Sequence, residues 1–274
     1  MKKVLVIGDS CQDVFCYCDC SRLAPEAPVP VLDYNHEQKN PGMAYNVYEN
    51  VRSLNHVCLH LSSKKGNPPC VNTECDIETN PNWREITKTR LVDSKTNQMF
   101  LRLDSSIKFP RIKLGAIRFN EYDAVIISDY DKGFTLEEDI EAISRLHNLT
   151  FLDTKKAIGN WAEKITFIKI NETEYEKSKR IFKKDNFKNK LIKTLGSQGC
   201  EHKNEIYPVP EVEVKDVSGA GDTFIAGLVL KYIQNKDIVD SIKFANQCAT
   251  KAVGKQGVVA LSKIKAFYSK GDSW

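Results

Sequence analysis

Residues 216–223 read Asp216-Val217-Ser218-Gly219-Ala220-Gly221-Asp222-Thr223, and they stand directly before Phe224, Ile225, Leu228, Val229 and Tyr232, apolar residues spaced as one face of a helix. Small residues ahead of a helix let backbone N–H groups converge on an anion, and the helix start adds about half a positive charge there. Charge developing on a travelling phosphoryl group is stabilised in such a place. Asp222 falls in the same concavity, where a carboxylate can take the proton of an attacking hydroxyl. An anion hole beside a base is the chemistry of phosphoryl transfer to an alcohol. The same letters would also serve as a helix N-cap with glycine for close packing, so the surrounding sequence has to decide.

Outward from this stretch, strands and helices alternate. Residues 3–7 form a short apolar run closed by Gly8, and residues 124–128, 150–153, 166–170 and 191–195 are further buried strands. Thr135 to Glu138 has the form of a capping box, with Ile140, Ile143 and Leu146 as the apolar stripe behind it. Ile238, Ile242, Ala245, Ala249 and Ala252 mark a last helix. Such alternation predicts an α/β fold, a central mostly parallel sheet flanked by helices in three layers. The single Gly8 after the first strand lacks the G-x-G-x-x-G of a dinucleotide-binding fold.

Two segments have another texture. Pro25, Pro28 and Pro30 punctuate Val29, Val31 and Leu32, and residues 84–103 read as a hairpin broken at 93–97. Both suit a small β-layer beside the main sheet. Residues 62–82, with Gly66, Pro68, Pro69 and Pro81, read as loop, and the basic run 177–190 as a solvated helix and turn.

The 274 residues carry 40 Lys+Arg against 36 Asp+Glu, a net charge of +4, which gives no nucleic-acid footprint. A mean hydropathy of −0.40 and only four apolar residues ahead of Gly8 predict a soluble, cytoplasmic chain with neither export signal nor membrane span. Nine cysteines, an odd number, point to free thiols in a reducing compartment. Cys16, Cys18 and Cys20 alternate and share a strand face. Zinc binding by them with Cys70 and Cys75 competes with a role as small apolar residues, but C-x-C-x-C is not a zinc-ribbon spacing.

Asp216 to Thr223 resembles the C-terminal signature of the ribokinase-like (PfkB) family of sugar kinases, and the likeness runs over nearly the whole chain. Gly8-Asp9 with Asp13, the run from Ser21 to Pro30, Pro41-Gly42, Asn46, Thr89-Arg90, Leu101 to Asp104, Ser128-Asp129-Tyr130 with Lys132-Gly133, Phe244-Ala245-Asn246 and Val253-Gly254-Lys255 with Gly257 are similar to its heptose 7-phosphate kinase branch. The resemblance implies one ribokinase-like kinase domain over residues 1–274, with a β-sheet lid from segments near 14–40 and 84–104. It implies ATP-dependent phosphorylation of a sugar hydroxyl, foremost the anomeric hydroxyl of a heptose 7-phosphate. Another sugar or sugar phosphate, or binding without catalysis, are the alternatives.

Position by position, the family implies Asp222 as catalytic base and the backbone of Gly219, Ala220 and Gly221 as anion hole. Asp13, Gly42 and Asn46 take sugar hydroxyls, with Arg102 and Asp129 on the acceptor side; Asp13 read alone could cap a loop, and Arg22, Arg90 and Arg102 could be surface ion pairs. Asn171 and Glu174 fit an N-x-x-E element in which Glu174 holds Mg2+ through water, a role that competes with a plain helix start. Thr194, Gly196 and Gly199 match the nucleotide loop. Asn246, Lys255 and Gly257 match the adenine-side wall, near which the family binds a monovalent cation such as K+. A sugar (phosphate) and ATP are the implied partners, with no nucleic acid or membrane, and the lid is expected to pair two subunits into a homodimer. Two features depart from the family: Met43 stands where a second glycine is usual, and residues 62–82 are short for the usual strand–helix unit.

Overall fold

The computed structural model describes residues 1–62 and 72–254, and for residues 56–62 the backbone alone. The chain runs β1 (Lys2–Gly8), β2 (Ser10–Leu23), β3 (Pro30–Met43), α1 (Ala44–Ser62), β4 (Thr73–Thr79), β5 (Thr87–Asp93) and β6 (Met99–Asp104). It continues through β7 (Ala124–Asp129), α2 (Glu137–Leu146), β8 (Thr150–Thr154), β9 (Phe167–Asn171), α3 (Glu172–Ser178), α4 (Asp185–Lys188) and β10 (Leu191–Thr194). β11 (Cys200–His202), β12 (Glu205–Tyr207), α5 (Ala220–Asn235) and α6 (Ile238–Val253) complete it.

Side chains in a strand alternate between faces, and the first strand shows the consequence. Val4 and Val6 enter one core with Leu54, Ile126, Phe151, Phe224 and Ile242, under α1, α5 and α6. Leu5 and Ile7 enter a second core with Val125, Ile127, Ile140, Ile143 and Leu152, under α2. Both faces are therefore covered, as in the three-layer arrangement expected from the sequence. The eight strands lie in the order β12-β11-β10-β9-β8-β7-β1-β4. Pairing is parallel from β4 through β10, with Val4 opposite Ala124 and Gly8 opposite Ser128, and antiparallel at β11 and β12. β1 has β4 on one side and β7 on the other, so connections leave it in both directions; ligands of open α/β sheets bind beyond the strand ends at such a reversal.

A second sheet of four strands, β3-β2-β5-β6, takes up the proline-punctuated segment and the 84–103 hairpin. It is wider than the sequence indicates, since β2 begins at Ser10 and β3 continues to Met43. Its root, Cys11, Met43 and Ile86, packs against Tyr130, just after β7, and Phe109 of the segment between β6 and β7.

Four sequence readings are corrected. The 62–82 loop contains β4, an edge strand whose Cys75 and Ile77 touch the core while Glu74, Asp76 and Glu78 alternate with them. Thr135 is not the cap of α2: its hydroxyl goes to Asp129 Oδ1 at 3.2 Å, and Asp139 reaches back to the Leu136 N–H at 2.9 Å, one residue later than expected. Leu146 is exposed rather than part of the stripe. The basic run 177–190 is anchored by buried Phe182 and Phe187. Of the alternating cysteines, Cys18 is buried, Cys16 half-buried and Cys20 exposed, and all seven described cysteines are unpaired.

Candidate active site

The start of α5 is set by Gly219, whose φ of 80° is the left-handed conformation that glycine adopts without strain. One turn on, Asp222 is buried with both oxygens engaged. Asn46 Nδ2 donates to Oδ2 at 2.8 Å, and the Tyr130 hydroxyl donates to Oδ1 at 2.8 Å. Asn46 is oriented in turn by Asn50, whose Nδ2 donates to Asn46 Oδ1 at 3.0 Å, while Asn50 Oδ1 accepts from Thr223 at 3.3 Å. Burial pushes the Asp222 carboxyl up to about 6; the nearby Asp153 charge adds to this, and the Asn46 and Tyr130 hydrogen bonds and the Lys169 charge work against it. At neutral pH the group is ionised yet close to its titration, as a general base should be.

Beneath the Gly219–Gly221 turn lies a lysine in the middle of an apolar strand. Lys169 Nζ meets Asp153 Oδ2 at 2.7 Å, with both side chains about 5% exposed. A Cβ at residue 221 would stand 2.8 Å from that Nζ, so glycine lets the turn lie over the ammonium without displacing the tip of Lys169. Asp153 Oδ1 has no hydrogen-bond partner among the described residues. A positive charge is thus fixed directly below the place read as the anion hole.

At the end of β9, Asn171 and Glu174 form a complete capping box. Asn171 Oδ1 accepts from the Glu174 N–H at 2.9 Å, and Glu174 Oε2 accepts from the Asn171 N–H at 2.8 Å. Lys155 Nζ donates to Glu174 Oε1, and its own affinity for the proton is raised by Asp153, Glu174 and Asp222 against the cost of burial. No group of three or more His, Cys, Asp or Glu among the described residues could by itself hold a metal. Of the cysteines in the zinc reading, Cys70 lies outside the described residues. Glu174 accepts three bonds, from the Asn171 N–H, Asn171 Nδ2 and Lys155 Nζ, and retains acceptor capacity toward the water shell of Mg2+, which keeps several waters and takes few carboxylates.

On the small-sheet side, Asp13 is buried and pairs with Arg90 Nη1 at 2.5 Å. A Cβ on Gly42 would lie 2.1 Å from Asp13 Oδ2, so the backbone there must be bare for the carboxylate to sit where it does. Met43 has a φ of 61° and a side chain 3% exposed against Cys11 and Ile86, so packing at the root of the small sheet absorbs this departure from the family. Arg102 is half exposed on β6, opposite Arg90 in register, paired with Asp104 at 2.7 and 2.8 Å and close enough to Asp13 to feel its charge. Asp129 is held in a buried net of Thr135, Thr154 and Lys156. Asp9 accepts N–H bonds from Tyr130 and Phe134 and, by burial and the Asp129 charge, is pushed up to about 6.

On the other flank, Thr194 ends β10, Gly196 (φ 59°) faces open space, and Gly199 turns back into β11. Asn246 donates to the Tyr207 carbonyl at 2.8 Å, tying α6 to β12. Lys255 and Gly257 lie outside the described residues.

The fold therefore gathers Asp222, Asn46 and the glycine turn, sets Asn171 and Glu174 nearby through Lys155, keeps Arg102 within reach of the Asp13 charge, and gives Asp129 and Asn246 hydrogen-bond partners of their own. Asp153, Lys155 and Lys169 join the cluster without having been singled out, and Tyr130, quoted only within the resemblance, joins it with no role assigned. One of them had a readable signal: Lys169 interrupts an apolar strand, and a buried ammonium requires a buried carboxylate.

Comparison with known proteins shows the family and the fold. The family model described as pfkB family carbohydrate kinase matches residues 84–265. A relative named "Bifunctional protein HldE" from Helicobacter acinonychis is 32% identical over 94% of this chain, which spans 64% of that relative's length. A ribokinase from Thermotoga maritima superposes with a TM-score of 0.68 at 17% identity over 98% of this chain and 99% of its own. The Arabidopsis thaliana ribokinase complexed with ribose and ATP does so with 0.68 at 14% identity over 98% of each. The fold is ribokinase-like. No helix among the described residues is long and apolar enough to cross a membrane.

Proposed function

Because the chain belongs to the pfkB family of carbohydrate kinases, we propose that it transfers the γ-phosphate of ATP to the anomeric hydroxyl of a heptose 7-phosphate. The observation that carries the reading is Asp222, a buried carboxylate one turn behind a glycine helix start, gripped by Asn46 and Tyr130 and close to its titration at neutral pH. In this reading Asp222 accepts the hydroxyl proton as the sugar oxygen attacks in line. Lys169 and the backbone of Gly219 to Gly221 offset the charge that grows on the phosphoryl oxygens. Asp13 takes sugar hydroxyls, since a carboxylate accepts two such bonds at once, and Arg90 orients it. Glu174, with Asn171, would hold Mg2+ through water, which when bound neutralises phosphate charge. Arabidopsis ribokinase, of the same fold, binds ribose and ATP, which supports a sugar and ATP as ligands here.

The heptose assignment rests on the resemblance of the segments around Glu26, Asn46 and Asp104. The small sheet is the lid of this reading, and its closure keeps water from the γ-phosphate. Exposed Met99, Leu101 and Leu103 along β6, with Tyr34 on β3, support its pairing with a second copy. Unpaired thiols support a reducing, cytoplasmic setting. A panel of sugars in an ADP-release assay tests the assignment. Heptose 7-phosphate should give the highest kcat/KM; silence with it beside a strong response to ribose or fructose 6-phosphate would remove the heptose and keep the kinase.

A further inference from the structure

Tyr130 belongs to two parts of the molecule at once. Its N–H donates to Asp9 Oδ2 at 2.7 Å, anchoring its main chain to the end of β1. Its ring packs on the small-sheet root of Cys11, Met43 and Ile86 and lies under Lys88 of β5 at 4.9 Å and Lys155 at 5.4 Å. Its hydroxyl donates to Asp222 Oδ1. Burial and the Asp222 and Asp153 charges hold the phenol well above its ordinary range, so it stays a donor at any working pH. A carboxylate held by Asn46 alone could turn about Cβ–Cγ, a soft torsion; a second donor on the other oxygen fixes its plane.

We propose that Tyr130 is a positioning residue for phosphoryl transfer: its hydroxyl fixes the plane of the Asp222 carboxylate, and its ring ties that plane to the seating of the small sheet. The proposal rests on the reading of Asp222 as base. Asp222 is faced by Asn46 of α1, Tyr130 after β7, Asp153 and Lys155 at the end of β8, and Lys169 of β9. Of these, Asn46 and Tyr130 alone donate hydrogen bonds to it among the described residues. Removing one of two donors that favour the ionised form moves the titration up, and activity that needs the ionised base is then lost at a higher pH.

Tyr130→Phe removes one oxygen and keeps the ring. With the best sugar of the panel, kcat should fall at least ~10-fold while KM for ATP stays within about 2-fold, and the acid limb of kcat/KM should move up by about half a pH unit or more. Carbon-13 NMR of aspartate carboxyls gives a readout that needs no sugar: the Asp222 resonance, identified by its loss in Asp222→Asn, should titrate at higher pH in Tyr130→Phe. Wild-type kcat with an unmoved acid limb, or an unmoved Asp222 titration, overturns the proposal. If Asp222→Asn is silent while Tyr130→Phe behaves as wild type, the base stands and this proposal falls; if Asp222→Asn turns over normally, both fall.

Discussion

Lys169→Met puts a number on the buried charge beneath the glycine turn. The pair with Asp153 is about 95% shielded on both sides, and Asp153 Oδ1 has no hydrogen-bond partner among the described residues. Removing the ammonium leaves a buried carboxylate with neither oxygen compensated, close to the second negative charge of Asp222. Breaking a buried pair from one side costs about 3–5 kcal/mol. An unfolding entropy of about 2.1 cal/mol/K per residue gives about 0.6 kcal/mol/K for a chain of 274, so Tm should fall by about 5–9 °C. Calorimetry at pH 7.5 reads this directly. The double variant Lys169→Met with Asp153→Asn removes the stranded charge and should regain about 3 °C or more, because an unpaired neutral group costs about 1–3 kcal/mol. A Tm within about 1 °C of wild type for the single variant, or a double variant no better than the single, would show that the two side chains are solvated and that no fixed charge supports the turn.

Three further substitutions probe other parts of the account. Gly42→Ala places a Cβ 2.1 Å from Asp13 Oδ2, so Asp13 must move; KM for the sugar should rise at least ~10-fold with KM for ATP unchanged in steady-state assays. Met43→Gly relieves a left-handed backbone worth about 1–2 kcal/mol but empties a buried site worth about 2–5 kcal/mol. Urea unfolding should accordingly show a net loss of about 1–3 kcal/mol, and a gain in stability would mean that the side chain is not packed as described. Glu174→Gln keeps an acceptor for the Asn171 N–H and removes the charge facing Lys155. Tm should change by less than about 2 °C while KM for Mg-ATP rises ~10-fold; an unchanged KM would take Glu174 out of the nucleotide site.

How legible each part was follows from where its determinants lie in the chain. Asp222 and the glycine turn are contiguous, so spacing alone exposes them, and the long central strands announce themselves by unbroken apolar runs. β4 escaped because three prolines and a glycine crowd its surroundings, although Cys75 and Ile77 alternate with acidic residues as an edge strand should. β11 and β12 are three residues each, too short for any period to register. The α2 cap was misplaced by one residue because Thr135 is drawn to Asp129, a tertiary partner that no local pattern reveals. Tyr130 follows β7 and lies 92 residues from Asp222, while Asp153 and Lys155 at the end of β8 lie 16 and 19 residues from Lys169 and Glu174, and only the parallel register brings these strand ends together. Asp129 has a distant partner in Lys156 that no local pattern reveals, whereas the Arg102–Asp104 pair lies two residues apart on one strand.

Turnover of Asp222→Asn in the ADP-release assay, with ATP binding measured alongside, addresses the core of the account. Loss of the carboxylate should lower kcat by at least ~100-fold while nucleotide affinity stays within a few-fold of wild type. Turnover near that of wild type would mean that the proton leaves the sugar by another route and that this buried carboxylate does not carry the chemistry.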